Sequence, residues 1–313
     1  MTAPTKLPVL KPRALRSGDR VAIVAPASPF KREEFDAGVA ELARLGFEPV
    51  FDESVFARRR YVAGDPSLRA AAINHAWRDP SIAGLIAVRG GYGSAQLLPL
   101  LDASAMCEGR KVFVGYSDIT TLLSFHLQHN LACFHGPMIE RRLAAGETAY
   151  DRETFLRAVT RSEPLGALVP PGLETLRAGE ASGVLVGGTL TQLVASLGTP
   201  WTFTPPRGAV LFLEEVAERP YRVDRMLTQL SQAGILARAG ALVFGEMPTC
   251  DEPGGDPALR DVLREFLHDF HGPVLLGFPS GHTTGPTWTL PFGVEARVRS
   301  SPPALIVEEA AVA

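Results

Sequence analysis

A serine at the end of a short apolar run is the residue of this sequence that most clearly predicts chemistry. Ser117 follows the β-rich run 111–114 and Gly115, and a helix-like stretch rich in leucine begins soon after it. A strand, a tight turn and a helix in this order raise a serine hydroxyl clear of the backbone. Ile119 stands where the second glycine of a G-x-S-x-G elbow would be. A βαβ turn with a capping serine therefore remains an alternative interpretation.

A nucleophilic serine needs a base, and the base needs an acceptor that orients it. His282 follows an apolar strand, in a loop rich in Gly, Ser and Thr that can expose a side chain yet hold it. Glu214 ends the apolar run 209–213, at the expected rim of a sheet, although an exposed carboxylate that begins a loop fits as well. Glu215 points to the opposite face if the strand continues, so only one of the two should enter a site.

Two other constellations compete with this one. His126, His129 and His135 resemble a metal cluster, but no H-E-x-x-H pattern accompanies them, and helical histidines are usually ordinary surface or core residues. His135 is instead expected to pack near the site. The Gly-rich turn 89–93 is the alternative candidate for a phosphate loop, but it lacks the Walker lysine and the G-x-G-x-x-G spacing.

Composition narrows the class of protein. The 313 residues are 46% hydrophobic and 21% charged, with 31 basic and 34 acidic residues and a net charge of −3. No basic block favours nucleic acid or an anionic membrane as a partner. No apolar stretch has the length of a signal peptide core or a membrane span. Three widely spaced cysteines are typical of reduced thiols in a cytoplasmic protein.

Strand and helix signals alternate through the first half of the chain. Strands are predicted at 21–24, 47–51 and 84–88 and before Ser117, with helices between them, which indicates a mostly parallel α/β sheet flanked by helices. In such sheets, sites lie outside the carboxyl ends of the strands, where both Ser117 and the Gly-rich turn fall.

The second half repeats the alternation. Strands are predicted at 210–213, 241–244 and 274–276, and the apolar stripe 259–270 predicts a core helix. Proline and glycine interrupt the pattern around 163–180. We therefore predict an N-terminal α/β domain (1–165) that carries the nucleophile and a linker (166–182). A smaller α/β C-terminal domain (183–313) carries the acid and the base.

Five segments together resemble the bacterial LD-carboxypeptidase family of serine peptidases, which includes the microcin C immunity peptidases. Their order and spacing fit the family over about residues 15–300. They are Arg89-Gly90-Gly91-Tyr92-Gly93, Gly115-Tyr116-Ser117-Asp118-Ile119-Thr120, Gly187-Gly188-Thr189-Leu190 with Leu197-Gly198-Thr199-Pro200, Leu213-Glu214-Glu215-Val216 through Pro220-Tyr221-Arg222-Val223-Asp224-Arg225, and Gly281-His282-Thr283.

The resemblance implies a triad split between two domains. Ser117 would be the nucleophile, His282 the general base and Glu214 the orienting acid. The backbone N–H groups of Asp118, at a helix start, and of Gly91, in the Gly-rich turn, are the expected oxyanion hole. The family also implies a homodimer and needs no metal or organic cofactor. Two departures stand out. Family members usually have Leu-Glu-Asp where this chain has Leu-Glu-Glu at 213–215. They often have Gly-Gly-Asn where this chain has Gly187-Gly188-Thr189. The threonine is expected to change the hydrogen bonding in the substrate pocket.

The family's substrate is murein tetrapeptide, from which the terminal D-Ala is released. The resemblance thus implies a small-peptide partner. Within the Gly-rich turn, Gly90, Tyr92 and Arg89 are the residues that we expect to bind it. Arg89 would grip the free carboxylate, and its alternative role is to bond loop carbonyls.

Other functions compete with this one. A microcin-type immunity peptidase would cleave a peptide–nucleotide conjugate and needs an aromatic surface, for which Trp201 and Trp288 are available. A non-catalytic muropeptide-binding relative would not need the three triad residue types. A general α/β-hydrolase esterase is disfavoured by the missing elbow glycine and by the split triad.

Overall fold

Two sheets organise the chain in the computed structural model, which describes residues 9–313. The first sheet begins with β1 (Arg20–Val24), β2 (Glu48–Val50), β3 (Ile82–Ala87), β4 (Val112–Gly115) and β5 (Cys133–His135). The helices between and after these strands are α1 (Arg32–Arg44), α2 (Pro66–Arg78), α3 (Ala103–Gly109) and α4 (Thr120–Gln128). The five strands pair in the order β5-β4-β3-β1-β2, all parallel. Apolar runs such as that of β4, buried along its whole length, are typical of a parallel strand covered on both faces.

The second sheet has a parallel centre and antiparallel edges. After α5 (Arg152–Thr160), the remaining strands are β6 (Gly166–Leu168), β7 (Glu174–Arg177), β8 (Glu180–Thr189), β9 (Ala209–Glu214), β10 (Ala239–Gly245), β11 (Val274–Phe278), β12 (Leu290–Phe292), β13 (Glu295–Ser300) and β14 (Pro303–Val307). The helices among them are α6 (Leu190–Ala195), α7 (Pro220–Gln232) and α8 (Leu259–Phe266). Strands β8 to β11 are parallel, and β7, β13, β14 and β6 are added antiparallel.

The predicted linker 166–182 is wrong as a free connection, because it contains β6, β7 and the start of β8. Its prolines and glycines occupy the turns between these short strands, which explains why the pattern resembled a linker. Strand β12 crosses in the other direction and pairs antiparallel with β5 at the edge of the first sheet. The first sheet therefore includes one strand from the second half of the chain, and the second sheet begins at Gly166.

Most predicted elements are confirmed within one or two residues. The stripe 259–270 differs, since α8 ends at Phe266. A turn in which the Phe270 N–H bonds the Leu267 carbonyl then brings Phe270 back against the same apolar cluster. The longest helices in residues 9–313 have 13 residues, and none combines the length and apolarity needed to cross a bilayer.

The carboxyl ends of four strands carry the candidate residues. Strand β3 leads into the Gly-rich turn, β4 leads into Ser117, β9 ends at Glu214, and β11 leads into the loop that contains His282. The site thus combines two strand ends from each sheet, as expected for parallel α/β architecture.

Candidate active site

Ser117 occupies a strained turn between β4 and α4. Its φ is 63°, in the left-handed region, and the residues Ser117–Ile119 form a single 3₁₀ turn. A Cβ on Gly115 would lie 2.6 Å from Ile119 Cγ2, so the isoleucine side chain packs directly over this glycine. A strained serine between strand and helix is the geometry of a nucleophile elbow, built here with isoleucine in place of the second glycine.

The Gly-rich turn lies against this serine. A Cβ on Gly90 would lie 2.8 Å from Ser117 Cβ and 3.2 Å from the Asp118 nitrogen, which only glycine permits. Gly91 has a φ of 96°. Within residues 9–313, neither the Gly91 nor the Asp118 backbone N–H donates a hydrogen bond. Two N–H groups, one on the residue after Ser117 and one on the residue after Gly90, are therefore available for a ligand.

The Asp118 side chain ties the turn Ser117–Ile119 to the Gly-rich turn. Its buried carboxylate accepts the Ser94 N–H at 2.8 Å, and Ser94 Oγ donates to the Asp118 carbonyl at 2.6 Å. Burial raises the pKa of Asp118, although these hydrogen bonds oppose the rise. The buried guanidinium of Arg69 donates to the Gly93 carbonyl at 2.9 Å. These contacts hold the two turns in one arrangement.

Glu214 and His282 form a close pair at the ends of β9 and β11. Glu214 Oε2 accepts from His282 Nδ1 at 2.7 Å and from the His282 backbone N–H at 3.0 Å. The Glu214 side chain is fully buried, whereas the His282 ring is 20% exposed. Burial alone would raise the pKa of Glu214, but the charge and hydrogen bond of His282 lower it below its usual range. Glu214 is therefore a carboxylate, and it fixes the proton of neutral His282 on Nδ1.

His282 responds in the opposite direction. Burial alone would lower the pKa of His282, but Glu214 outweighs it and raises that pKa above its ordinary value of 6.5. With Nδ1 protonated, the other ring nitrogen of neutral His282 is the one that can accept a proton. This is the state that a general base requires.

The turn Ser117–Ile119 and His282 are neighbours without a direct hydrogen bond. The ring of Tyr116, adjacent to Ser117 in the chain, lies 5.2 Å from the ring of His282. In the described part of the chain, the Ser117 hydroxyl has no hydrogen-bond partner. Catalytic hydrogen bonds are often long in unliganded enzymes and tighten when substrate binds.

Thr189 holds the other oxygen of Glu214. The Thr189 hydroxyl donates a short hydrogen bond to Glu214 Oε1, and the Thr189 N–H donates to Thr120 Oγ1 at 3.1 Å. Thr120 begins α4, directly after the turn Ser117–Ile119. Thr189 therefore links both halves of the site. The sequence suggested an effect on the substrate pocket for this position, whereas its hydroxyl contacts the acid.

Glu215 turns away from the pair, as the strand alternation predicts. Its carboxylate accepts the Thr191 N–H at 2.9 Å and the Thr191 hydroxyl at 2.7 Å. Burial raises the pKa of Glu215, although these bonds oppose it. Glu215 thus holds the start of α6, and Glu214 alone faces His282.

The three histidines of the metal alternative are engaged separately. Nδ1 of His126 and of His129 each lie 2.8 Å from a helix carbonyl, and Nδ1 of His135 lies 2.9 Å from Ser280 Oγ. In residues 9–313, no three side chains of the metal-binding types are grouped to hold an ion. His135 packs beside Glu214 and Gly281, where burial lowers its pKa to about 4.

Comparison with known proteins places this geometry in a family. The LD-carboxypeptidase N-terminal domain model matches residues 21–136, and the C-terminal domain model matches residues 182–298. A relative from Streptomyces coelicolor is 38% identical over 97% of this chain and 98% of its own. The chain belongs to the LD-carboxypeptidase family. It is therefore a serine-type peptidase, as the five segments predict.

Two further members of the LD-carboxypeptidase family represent different activities. The murein tetrapeptide carboxypeptidase of Pseudomonas aeruginosa is 32% identical, covering 84% of this chain and 88% of its own. The microcin C7 self-immunity protein MccF of Escherichia coli is 26% identical, with 88% of each chain covered. A solved structure of MccF in complex with aspartyl sulfamoyl adenosine has a TM-score of 0.91 at 25% identity, covering 97% of this chain and 100% of that one.

The predicted substrate residues of this LD-carboxypeptidase family member lie at the Gly-rich turn. Arg89 Nη1 donates to the Pro29 carbonyl at 3.1 Å, and Arg89 Nε lies 3.2 Å from the buried carboxylate of Glu140. Arg89 thus makes the loop-carbonyl bond of its alternative role, and its charge already has a partner. Tyr92 is 52% exposed, and its ring packs edge-on against Tyr61 with centroids 5.4 Å apart.

The sequence did not predict the roles of two residues of the site. Thr189 was noticed only as a departure from the family pattern, and Arg142, which donates to the Gly281 carbonyl beside His282, was not noticed at all. An arginine that acts through backbone carbonyls leaves no local pattern in the sequence. The position of Thr189, directly after two glycines at the end of β8, was the available signal.

Proposed function

We propose that this enzyme is an LD-carboxypeptidase that releases the terminal D-Ala of murein tetrapeptide through an acyl-enzyme on Ser117. The observation that carries the proposal is the 2.7 Å bond between Glu214 Oε2 and His282 Nδ1, with the His282 ring 5.2 Å from that of Tyr116, the residue before Ser117. The relative named murein tetrapeptide carboxypeptidase supports the choice of substrate.

In the first half of the reaction, the Ser117 hydroxyl attacks the carbonyl carbon between the L-centre of the diamino acid and D-Ala. His282 takes the hydroxyl proton on the nitrogen that does not face Glu214. The N–H groups of Gly91 and Asp118 hold the oxyanion that forms. When the intermediate collapses, His282 gives its proton to the leaving amine, and D-Ala departs.

In the second half, water replaces D-Ala. Water attacks the acyl carbon while His282 takes a proton from it. His282 then gives that proton to the Ser117 oxygen as the bond between this oxygen and the acyl carbon breaks. The products are the tripeptide and free enzyme. Glu214 remains ionised throughout and stabilises the imidazolium at each step.

The proposed enzyme works in the cytoplasm as a homodimer. Its three cysteines are unpaired, which suits a reducing compartment. The dimer is an expectation from the family resemblance. Sedimentation of the purified protein measures it, and a monomeric mass at assay concentration would contradict it.

The substrate is tested with L-Ala-γ-D-Glu-meso-diaminopimelate-D-Ala and the same peptide ending in L-Ala. The proposal predicts release of D-Ala with little release of L-Ala, since the leaving group is fixed by its stereochemistry. Equal release of both would show a general carboxypeptidase and contradict the proposal.

The second candidate is hydrolysis of a peptide–nucleotide conjugate, favoured by the similarity to MccF with its bound aspartyl sulfamoyl adenosine. Trp288 packs edge-on against Phe278 and Trp201 packs against the core, so neither is a fully open surface for a base. A higher kcat/KM on such a conjugate than on the tetrapeptide would favour this candidate. A muropeptide-binding role without catalysis would instead leave Ser117 unlabelled by a fluorophosphonate.

A further inference from the structure

Arg142 connects the first sheet to the loop that carries His282. Its guanidinium donates to the carbonyls of Gly281 at 2.9 Å, Thr283 at 3.2 Å and Gly285 at 3.0 Å. A fourth bond, to the Ala149 carbonyl at 3.1 Å, ties the same group to the first half of the chain. A guanidinium has five N–H donors in a fixed plane, so three bonds hold residues 281–285 in one geometry and the fourth anchors them to Ala149.

The segment that presents Arg142 is itself rigidly held. Ile139–Leu143 is kinked, because Glu140 and Arg141 have non-helical backbone angles, and Arg141 has a φ of 64° and a ψ of −65°, a strained conformation. A Cβ on Gly38 of α1 would lie 2.3 Å from the Ile139 carbonyl oxygen, which shows how closely α1 packs on this segment. Strain of this kind persists only where the surroundings impose it, and here it sets the direction of Arg142.

The loop that carries His282 is also held by the second sheet. Thr284 donates to Glu246 at 2.8 Å through its N–H and at 2.7 Å through its hydroxyl, and Glu246 follows β10 in the second sheet. From the half that carries the nucleophile, His135 holds Ser280 at 2.9 Å and Arg142 holds residues 281–285. The Arg142 guanidinium also lies 6.0 Å from the ring centroid of Tyr116.

We infer that Arg142 is a positioning residue that sets His282 against Ser117 by fixing the backbone on both sides of the histidine. This inference rests on the proposed role of His282 as general base. Arg142 donates no hydrogen bond to Ser117 or to the His282 ring, so it acts on His282 through the backbone. Removing it should leave substrate affinity unchanged and slow every step in which His282 moves a proton.

The charge of Arg142 gives the role a second readout. The titratable groups that act on His282 are Glu214, Glu215, Arg142 and His135. Glu214 and Glu215 raise the pKa of His282, and Arg142 lowers it. Loss of Arg142 should therefore raise the pKa of His282 and move the acid limb of activity to higher pH. A purely structural arginine would lower the melting temperature without moving this limb.

The test is the rate at which a fluorophosphonate labels Ser117, followed across pH, because labelling needs no peptide substrate. Arg142→Ala should label about 100-fold more slowly, the loss expected for a displaced catalytic group, with its acid limb at higher pH. Added guanidinium ion should speed Arg142→Ala and leave wild type unchanged. Arg142→Lys keeps the charge but offers only three donors. Its acid limb should therefore lie at the wild-type pH, while Ser117 should still be labelled slowly.

Arg157→Ala is the matched control, because Arg157 also donates to a backbone carbonyl, that of Leu165, outside the site. It should label like wild type. Labelling of Arg142→Ala at the wild-type rate would overturn the inference. Slow labelling of Arg142→Ala would also overturn it if the acid limb did not move and added guanidinium ion did not raise the rate. If Arg142→Ala does not fold, wild-type labelling of Arg142→Lys overturns it. Absence of labelling in the wild type would instead contradict the proposed function.

Discussion

Glu214 binds His282 twice through one oxygen. Oε2 accepts both the ring Nδ1 at 2.7 Å and the backbone N–H at 3.0 Å, so the carboxylate fixes the position of the histidine as well as its tautomer. The side chain and main chain of one residue are thereby oriented by a single buried charge. The consequences of this pairing can be measured.

The pH dependence of wild-type activity should report the raised pKa of His282. Only neutral His282 can take the Ser117 proton, so kcat/KM should fall as pH drops through that pKa, at a midpoint above the ordinary value of 6.5. The measurement is kcat/KM for D-Ala release across pH. An acid limb at or below the ordinary value would contradict the Glu214–His282 account.

Glu214→Gln should lower activity and move the acid limb. Without the carboxylate, burial dominates and lowers the pKa of His282, so the limb should shift to lower pH. The plateau should fall about 10⁴-fold, the loss known for an amide in place of a triad acid. Glu215→Gln is the matched control and should leave the plateau nearly unchanged, because Glu215 bonds Thr191. Equal losses in the two variants would sink the assignment of Glu214.

Thr189→Val should weaken both the triad and the fold. The substitution removes the hydroxyl that bonds Glu214 Oε1 and leaves a buried carboxylate oxygen without its donor, at a cost of about 1–3 kcal/mol. We expect a lower kcat with little change in KM, together with a lower melting temperature. Thr191→Val is the control, because its hydroxyl bonds Glu215 at 2.7 Å. Thr191→Val should lower the melting temperature while its kcat stays near that of wild type. Similar losses of kcat in Thr189→Val and Thr191→Val would argue against the role of Thr189.

Gly90→Ala should abolish most activity while the protein stays folded. The added Cβ would lie 2.8 Å from Ser117 Cβ and 3.0 Å from its Oγ, so the nucleophile has to move. A displacement of this size at the reacting group costs about 100-fold in rate. Gly254→Ala is the control, since no atom lies within 4 Å of its added Cβ. Near-normal kcat in Gly90→Ala would show that the turn does not contact the working nucleophile.

Arg89 is predicted to bind the terminal carboxylate of the substrate, in addition to its ion pair with Glu140. Arg89→Ala should mainly raise KM for peptides with a free carboxylate. Since the substitution also leaves the buried Glu140 unpaired, Arg89→Met combined with Glu140→Gln provides the control for stability. An equal rise in KM on amidated peptides would contradict the binding role.

The sequence predicted the residues with local patterns and missed those that act across the fold. Ser117 lies in a strand–turn–helix pattern, and Glu214 and His282 follow apolar runs, so each could be found from its neighbours. Thr189 contacts Glu214 from 25 positions away, and its local signal, the two glycines before it, does not identify that partner.

The prediction of the linker failed for a related reason. Strands β6 and β7 are only 3 and 4 residues long, and each is flanked by proline or glycine. Such short edge strands gain their stability from the sheet they join rather than from their own residues. Residues 166–182 therefore have the local sequence pattern of a linker, and they form strands because β14 pairs with β6 and β11 pairs with β7.

The central claim is that Ser117 attacks the bond before a terminal D-Ala. Its most direct test is D-Ala release from L-Ala-γ-D-Glu-meso-diaminopimelate-D-Ala by wild type and by Ser117→Ala, both confirmed as folded. The account predicts release by wild type and none by the variant. Release that persists in Ser117→Ala would contradict the assignment of the nucleophile, and no release by wild type would contradict the substrate.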